Sequence, residues 1–271
     1  MISCYTGMVI VFVEGHDLKR LSQSFWLQML SEVGGLIRDL WHDDLEISYK
    51  SDGQPVTNID LAVHEYFVQL FAKYFPDDKV VSEESCPSSK SNDSDFVWLL
   101  DPIDGTRSMM KKKPEFTVSL ALLNQGCLIM GMVYNPILDR VFWVTEYEPM
   151  FIQGVDFSAP ARNKDTPLIF TSHRDYRQLS QQLSSFQCCP MGSIAQRMAI
   201  VAAGACDGAV GYVDMHEWDV AAGCLLAQRA GLVVSDLFGQ PFAWNKPGLE
   251  VFGVLVAQRS IHSELLRMIG R

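Results

Sequence analysis

Apolar residues recur along the chain with two different spacings, which separate predicted helices from predicted strands. From Ser22 to Trp41 they return every three or four residues, as on the broad apolar face of an amphipathic helix. Thr57-Asn58-Ile59-Asp60 has the form of a capping box and predicts a second helix that runs to about Phe75. Shorter apolar runs between turn signals are typical of buried strands.

The first half of the chain contains four such runs. Strands are predicted over Phe96–Leu100, Phe116–Leu123, Cys127–Tyr134 and Val141–Thr145. The first is predicted to end at Asp101. Asn124-Gln125-Gly126 is a hairpin signal that joins the second strand to the third.

After Pro149–Pro160 the pattern changes, because short strands now alternate with helices. The predicted strands are Leu168–Thr171, Ala209–Val213, Leu232–Ser235 and Val251–Val256, and the predicted helices are roughly 175–185, 193–203, 219–230 and 259–268. The pattern therefore predicts an α+β half over 1–155 and a more α/β half over 156–271. Both halves contain acidic motifs, so we expect a site at their junction.

Length and charge restrict the class of protein. The 271 residues are 48% hydrophobic and 20% charged, enough for one large core or two modest ones. The net charge of −10 argues against a protein that coats nucleic acid, although bound cations would still allow a small anionic substrate. Arg107 and Lys111–Lys113 form the one basic run. The sequence leaves open whether this run lies on a solvated surface or has a role near the substrate.

Cysteine usage and the N-terminus indicate the compartment. The seven cysteines include no CxxC pair, which favours buried thiols in a reducing compartment. Met8–Val13 is too short for a membrane span and no basic residue precedes it, unlike a signal peptide. We expect a soluble, cytoplasmic protein, with residues 1–20 forming an added strand or an N-terminal extension.

The segment Asp101-Pro102-Ile103-Asp104-Gly105-Thr106 combines a cation site with an anion site. Two carboxylates held close together repel, and a hard cation such as Mg²⁺, which prefers oxygen ligands, relieves that repulsion. Gly105 and Thr106 then begin a predicted helix, whose free N–H groups attract a phosphate. A turn with two solvated acids would not explain why they follow the apolar run Phe96–Leu100.

Two further acidic segments are weak signals when taken alone. Glu83-Glu84 follows the apolar Val80-Val81, and an isolated acidic pair usually lies on a surface. Asp219, in Trp218-Asp219-Val220-Ala221-Ala222-Gly223, is typical of a helix cap.

Together the three segments resemble the inositol monophosphatase superfamily of Mg²⁺-dependent, lithium-sensitive phosphatases. The paired glutamates, D-P-[IL]-D-G-[ST] and W-D-x-A-A-G occur here in the family's order. The resemblance extends from about Ser22 to the C-terminus. It implies an α+β fold, the layered αβαβα sandwich of the inositol monophosphatase/fructose-bisphosphatase type, and two or three Mg²⁺ ions as cofactor.

The resemblance also implies a role for each matching residue. The metal ligands would be the carboxylates of Glu83, Asp101, Asp104 and Asp219 and the backbone carbonyl of Ile103. The catalytic residues would be Asp60 and Thr106, which activate water as a pair, with Glu84 in support. The residues on the phosphate or substrate side would be Lys50, Gly105, Thr106, Gly192 and Ser193.

The implied reaction is hydrolysis of a small soluble phosphate ester by metal-activated water, without a phosphoenzyme. Haloacid-dehalogenase phosphatases, which use a covalent aspartate, have D-x-D-G-T, whereas the spacing here is D-x-x-D. An inactive, regulatory metal-binding relative remains an alternative. The expected partner is a small phosphorylated metabolite rather than a nucleic-acid polymer or a membrane, and the expected assembly is a monomer or homodimer.

The substrate signals are divided. Five segments resemble the 3′(2′),5′-bisphosphate nucleotidase branch: Lys50–Asp60, Ser82–Ser85, Glu115–Leu120, Thr171–Asp175 and Met215–Asp219. Two resemble inositol monophosphatases: Gly131–Pro136 and Val201–Asp207. Gln196 stands where the nucleotidases usually have lysine, and Tyr212 stands where the inositol enzymes often have glutamate. We favour the nucleotidase, with inositol-1-monophosphatase as the alternative.

Overall fold

A computed structural model describes residues 20–42, 45–85, 94–154, 165–213 and 215–270. Its helices are α1 (Gln23–His42), α2 (Asn58–Tyr74), α3 (Thr106–Met110), α4 (His173–Leu179), α5 (Ile194–Ala202), α6 (Glu217–Arg229) and α7 (Arg259–Ile269). The prediction for α1 is correct to within one residue at each end. The predicted capping box of α2 is present, because Thr57 accepts hydrogen bonds from the first turn and Asp60 accepts one from Thr57 N.

Fifteen strands lie within the described residues. In the first half they are β1 (Ile47–Tyr49), β2 (Pro55–Thr57), β3 (Lys79–Ser82), β4 (Phe96–Asp104), β5 (Thr117–Asn124), β6 (Cys127–Asn135), β7 (Arg140–Thr145) and β8 (Phe151–Gln153). In the second half they are β9 (Leu168–Thr171), β10 (Gln187–Pro190), β11 (Gly208–Gly211), β12 (Met215–His216), β13 (Val233–Ser235), β14 (Glu250–Val251) and β15 (Val254–Ala257).

Most of the described strands belong to two main sheets. Strands β3 to β8 form a six-stranded sheet in chain order, antiparallel except for β3 with β4. The second sheet has five strands in the order β10-β9-β11-β15-β13. The predicted hairpin joins β5 to β6, and both of its turn residues, Gln125 and Gly126, have positive φ, as the right-handed twist of a hairpin favours.

Alternating side chains give the six-stranded sheet two buried faces. Trp98 and Leu100 of β4 join the core with α1 and α2, whereas Val97 and Leu99 face α5 and α6. The five-stranded sheet packs its own two faces against α5 and α6 on one side and against α4 and α7 on the other. The order of layers is thus helix, sheet, helix, sheet, helix, which confirms the αβαβα sandwich.

Several predicted boundaries are wrong for local reasons. β4 continues past Asp101 to Asp104, because a bulge rather than a turn follows Asp101. The predicted strand Val251–Val256 is split at Gly253, whose φ is +73°, so that β14 pairs with β12 and β15 joins the five-stranded sheet. The helix predicted over 175–185 is α4, which covers His173–Leu179. It begins two residues earlier than predicted because Ser172 caps its N-terminus.

Other expectations fall on residues that the structure does not describe. The predicted boundary near 155 lies in 155–164, so the division into halves over 1–155 and 156–271 stays a prediction. The same holds for the expectations about residues 1–20, of which 1–19 are outside the described ranges. No helix within those ranges has both the length and the apolar character needed to span a bilayer.

Candidate active site

A cavity of about 420 Å³ lies where elements of both halves meet. The predicted site residues that line it are Glu83, Asp101, Ile103, Asp104, Gly105, Thr106, Gly192, Ser193 and Asp219. Segments separated by more than a hundred residues in sequence therefore converge on one space. Lys50, Asp60 and Glu84, the other predicted site residues, are not part of its wall. Lys50 contacts Glu83 and Asp60 contacts Thr106, both of which line the cavity, whereas Glu84 contacts Lys50.

The bulge in β4 brings two acidic side chains to the same cavity. Asp101 pairs with Ser119, the register then shifts, and Asp104 pairs with Thr117. Residues three apart in a regular strand point to opposite faces, whereas here both line the cavity. The Asp101 carboxylate accepts a hydrogen bond of 2.9 Å from Ile103 N, which holds the bulge together.

Asp219 comes to the cavity from the first turn of α6. Its Oδ2 accepts a hydrogen bond of 2.7 Å from His216 N, so the residue also caps the helix. Burial, with repulsion from Asp104, raises the pKa of Asp219 to about 8. Burial likewise raises the pKa of Asp104 to about 6, and it raises the pKa of Asp101 well above its usual value, with Glu83 adding to the effect.

Burial and mutual repulsion thus disfavour the charged forms of these carboxyl groups, although the buried Arg197 lowers the pKa of Asp104 in part. Within the described ranges, no group of three or more His, Cys, Asp or Glu side chains has the arrangement needed to hold a metal ion. The donors are nevertheless all oxygens that converge on one cavity, and that chemistry fits a hard cation such as Mg²⁺.

Lys50 lies behind this acidic wall. Its Nζ is 2.9 Å from Glu83 Oε1 and 2.8 Å from Glu84 Oε1. Burial lowers the pKa of Lys50, but the hydrogen bonds to the two glutamates outweigh it and raise the pKa overall. Burial raises the pKa of Glu84 despite the lysine. The ammonium group thus orients the two glutamates, and it is engaged with them rather than with the cavity.

Thr106 and Asp60 form a hydrogen-bonded pair at the edge of the cavity. Thr106 Oγ1 lies 3.0 Å from Asp60 Oδ1 and 3.0 Å from the carbonyl oxygen of Ile103, so its single proton has two possible acceptors. Asp60 Oδ2 accepts from the Thr57 backbone N–H at 2.9 Å and from the Thr57 hydroxyl. Burial raises the pKa of Asp60 to about 6 despite these hydrogen bonds.

The turn at Gly192-Ser193 reaches the acidic cluster from the second half. Ser193 Oγ donates a 2.7 Å hydrogen bond to Asp104 Oδ2, and the same oxygen accepts one of 2.7 Å from Ala195 N. The side chain of Ser193 also accepts from Gln196 N at 2.9 Å and so caps α5. The hydroxyl that the resemblance assigns to the substrate side therefore contacts a predicted metal ligand.

Three arginines at the cavity are absent from the predicted set. Arg107 and Arg174 are exposed, and the described residues show no ion pair for either of them. Arg197 is buried and donates to the carbonyl oxygens of Ser193 and Val210. Arg107 belongs to the basic run noted in the sequence, and Arg174 lies in the segment Thr171–Asp175, so a local signal existed for both. Arg197 has no such signal, because only the fold shows what it contacts.

The two positions that depart from the related branches lie away from the cavity. Gln196 is buried, and its Oε1 accepts a 2.6 Å hydrogen bond from Asn135 Nδ2. Tyr212 packs against the apolar cluster between the five-stranded sheet and α4 and α7. Neither side chain lines the cavity, so neither is placed to contact a ligand bound there.

Comparisons with known proteins agree with this architecture. The family model described as the inositol monophosphatase family matches residues 22–269. Nus factor SuhB of Pasteurella multocida is 33% identical over 210 residues, which cover 73% of this chain and 77% of SuhB. The 3′(2′),5′-bisphosphate nucleotidase CysQ of Escherichia coli K12 is 32% identical over 207 residues, which cover 74% of this chain and 84% of CysQ. A solved inositol monophosphatase/NADP phosphatase with Mg²⁺ and phosphate has a TM-score of 0.78 at 20% identity, covering 92% of this chain and 95% of that one.

Proposed function

This chain belongs to the inositol monophosphatase family and is a phosphoric monoester hydrolase, and we propose that it is a Mg²⁺-dependent one that favours 3′(2′),5′-bisphosphate nucleotides. The observation that carries the proposal is the convergence of four carboxylates on one cavity, with the Asp60–Thr106 pair beside them. Such a group of charges is costly without a cation, as the raised pKa values of Asp101, Asp104 and Asp219 indicate.

We assign cation binding to Glu83, Asp101, Asp104 and Asp219, together with the carbonyl of Ile103. Mg²⁺ held there would neutralise charge on the phosphoryl oxygens and increase the acidity of water. The solved relative with Mg²⁺ and phosphate supports this cofactor. Lys50 keeps Glu83 and Glu84 oriented and offsets part of their charge.

The Asp60–Thr106 pair has the geometry for water activation. When the Ile103 carbonyl is occupied by a cation, Asp60 is the remaining acceptor for the Thr106 proton. The lone pairs of Thr106 Oγ1 would then accept a hydrogen bond from the attacking water and orient it, and as the water loses its proton to Thr106 Oγ1 the Thr106 proton would pass to Asp60.

Gly105 is the N-cap of the short helix α3, and the N–H groups of Ser108 and Met109 donate to its carbonyl oxygen. We assign the contact with the phosphoryl oxygens to the N–H groups of Thr106 and Arg107, which come before them. No side-chain nucleophile is required.

Two arginines support a substrate with a second anionic group. Arg107 and Arg174 line the cavity from α3 and α4, and guanidinium groups bind phosphate with two parallel hydrogen bonds. The relationship to CysQ, whose name specifies bisphosphate nucleotides, supports the same preference. Inositol 1-phosphate has one phosphate only and is the alternative substrate, as the inositol monophosphatases among the solved relatives suggest.

A regulatory relative without activity was the other alternative that the sequence left open, and one relative is named a Nus factor. The assignment as a phosphoric monoester hydrolase disfavours it. The Asp60–Thr106 pair argues against it, because a protein that only binds metal does not need a group that orients water. We further propose that the protein binds two or three Mg²⁺ ions, is inhibited by lithium, and acts in the cytoplasm as a monomer or homodimer.

The test is phosphate release from adenosine 3′,5′-bisphosphate, 3′-phosphoadenosine 5′-phosphosulfate, inositol 1-phosphate and a simple aryl phosphate, with Mg²⁺ and with excess EDTA. We expect Mg²⁺-dependent release that is fastest from the bisphosphate. Full turnover in EDTA, or no release from any ester at saturating Mg²⁺, would overturn the proposal. Release that is fastest from inositol 1-phosphate would retain the phosphatase and select the alternative substrate.

A further inference from the structure

Glu115 joins four segments around the cavity although its own side chain does not line it. Its Oε2 accepts a 3.0 Å hydrogen bond from Gly192 N, in the turn before α5. The same oxygen lies 3.5 Å from Ser108 Oγ of α3 and 3.4 Å from His173 Nε2 of α4. Its other oxygen is 3.9 Å from Lys113 Nζ.

The turn that Glu115 holds has an unfavourable backbone conformation. Ser193 has a φ of +47° and a ψ of 110°, outside the regions that residues with a Cβ usually adopt. Such a conformation persists only where surrounding contacts hold it. Gly192 is equally constrained, since a Cβ there would lie 2.3 Å from Ser108 Oγ and 2.6 Å from the Glu115 carbonyl oxygen. The turn is therefore packed tightly between Glu115 and α3.

The same turn fixes a predicted metal ligand. Ser193 Oγ and Ala195 N both contact Asp104 Oδ2 at 2.7 Å, and Thr117 Oγ1 lies 2.9 Å from Ser193 Oγ. A relaxed turn would move both donors and free the Asp104 carboxylate to rotate. Glu115 thus acts on Asp104 through two intermediates, the Gly192 N–H and the Ser193 side chain.

Glu115 also touches the phosphate side of the cavity. Gly105, with a φ of +101°, is so close to it that a Cβ would lie 2.7 Å from the Glu115 carbonyl oxygen and 3.2 Å from Ser193 N. The start of α3, the Glu115 backbone and the Gly192-Ser193 turn are consequently in direct contact. A shift of one would be transmitted to the others.

We propose that Glu115 is a positioning residue, whose carboxylate holds the Gly192-Ser193 turn and so keeps Asp104 oriented for Mg²⁺ binding. The inference rests on the proposed Mg²⁺-dependent hydrolysis. A carboxylate suits this position because each of the groups named around it can donate a hydrogen bond. Glutamine keeps one oxygen for Gly192 N but presents an NH₂ group to the remaining donors.

The experiment compares Glu115→Ala and Glu115→Gln with Lys113→Ala, a control that removes the long contact to the same carboxylate and leaves the turn alone. Outer-shell substitutions around a metal site typically cost about 10–100-fold in metal affinity or activity. We expect Glu115→Ala to raise the Mg²⁺ concentration for half-maximal activity by about tenfold or more and to lower kcat similarly. Glu115→Gln should lie between Glu115→Ala and the wild type, and Lys113→Ala should match the wild type.

A second readout does not depend on turnover. Mg²⁺ raises the melting temperature of a protein that binds it only when folded, and the stabilisation grows with the logarithm of one plus the Mg²⁺ concentration divided by the dissociation constant. Fitting the increase therefore gives the Mg²⁺ concentration at half-saturation, here called the midpoint. We expect this midpoint to rise in Glu115→Ala while the melting temperature in EDTA stays close to that of the wild type. An unchanged midpoint in both Glu115 variants would overturn the proposal. If Glu115→Ala does not fold, Glu115→Gln decides the matter by the same criterion.

The two readouts also separate this inference from the proposed function. A wild-type protein that binds Mg²⁺ in the melting assay but releases no phosphate would refute the hydrolysis. The role of Glu115 in orienting Asp104 would then be supported or overturned by the melting midpoints alone.

Discussion

Thr106 Oγ1 and Asp60 Oδ1 lie 3.0 Å apart, although 46 residues separate them in sequence. Asp60 is almost fully buried in the first turn of α2, and Thr106 opens α3 at the cavity. The other carboxylate oxygen of Asp60 is held by both donors of Thr57, so the carboxylate cannot rotate freely. A rigid acceptor behind a cavity hydroxyl is the arrangement that general-base assistance needs.

The first prediction tests whether the two residues act as one unit. Thr106→Ala and Asp60→Asn should each lower kcat by about 10²–10⁴-fold, because each removes the group that orients the water. The Mg²⁺ requirement should change little. Because groups that act together are non-additive, the double variant should be scarcely worse than either single one.

Both residues also lie at helix starts, and a purely structural role as helix caps predicts a different outcome. Loss of a cap costs about 1 kcal/mol of unfolding free energy at each site and affects the two sites independently. Melting curves recorded with the kinetics distinguish these cases. A lower melting temperature with unchanged kcat, or fully additive losses in kcat, would favour the structural role.

The second prediction concerns pH. Burial raises the pKa of Asp60 to about 6, and only the ionised carboxylate can accept the Thr106 proton. We expect kcat at saturating Mg²⁺ to fall as the pH drops through about 6. Thr106→Ala should lose this acid limb, because Asp60 then has no hydroxyl to polarise. An identical limb in the variant would assign the titration to another group.

The layers of the fold were predictable because periodicity reports which side of an element is buried. α1, the β5–β6 hairpin and β9 follow from spacing alone to within one residue at each end. β1, β12 and β14 contain only two or three residues, too few for any period to appear. The bulge after Asp101 was not predictable either, because pairing with β5 decides it and the local composition does not.

The acidic part of the site was predictable from motifs, whereas the network that supports it was not. Asp101 and Asp104 stand out because charge follows an apolar strand. Glu115 stands in a loop of mixed charge, and its contact with Gly192 spans 77 residues. The hydroxyl of Ser193 shows the same limit, since only the tertiary structure reveals that it contacts Asp104.

The third prediction concerns Asp104→Asn. The amide oxygen can still accept hydrogen bonds from Ser193 Oγ and Ala195 N, so the fold should survive. The cation site loses one negative charge, and kcat should fall by more than about tenfold, which corresponds to about 1.4 kcal/mol in the barrier. Activity above a tenth of the wild type at saturating Mg²⁺ would show that Asp104 is not an essential ligand.

The fourth prediction concerns substrate selection by Arg174. A hydrogen bond to a charged group contributes about 1.5–3 kcal/mol, so Arg174→Gln should lower kcat/KM for adenosine 3′,5′-bisphosphate by about 10–100-fold. Adenosine 3′-monophosphate, which lacks the second phosphate, should be affected far less. The matched control is Arg177→Gln, on the same helix but not on the cavity wall. Equal losses for both substrates would show that Arg174 does not bind the second phosphate.

The fifth prediction concerns stability without metal. In the folded protein, burial and repulsion from Asp104 raise the pKa of Asp219 to about 8. Burial also raises the pKa of Asp104 to about 6. In the unfolded protein an aspartate has its usual pKa of about 3.9. Folding therefore favours the protonated carboxyl groups. Their stabilising contribution is complete below about pH 4 and is lost as the pH rises through 6 and then 8. In EDTA the melting temperature should accordingly fall between pH 5 and pH 8.

Asp219→Asn isolates this effect, because its amide oxygen can still accept from His216 N while no charge develops. In EDTA at pH 8 the variant should melt at least about 3 °C above the wild type, the shift expected for about 1 kcal/mol in a protein of this size. Below about pH 4 the two should melt together, since the carboxyl group is then protonated in both the folded and the unfolded wild type. Mg²⁺ at pH 8 should reverse the order, because it stabilises the wild type through a ligand that the variant lacks. A wild type that remains the more stable protein at pH 8 in EDTA would show that the acidic cluster is already compensated without a cation.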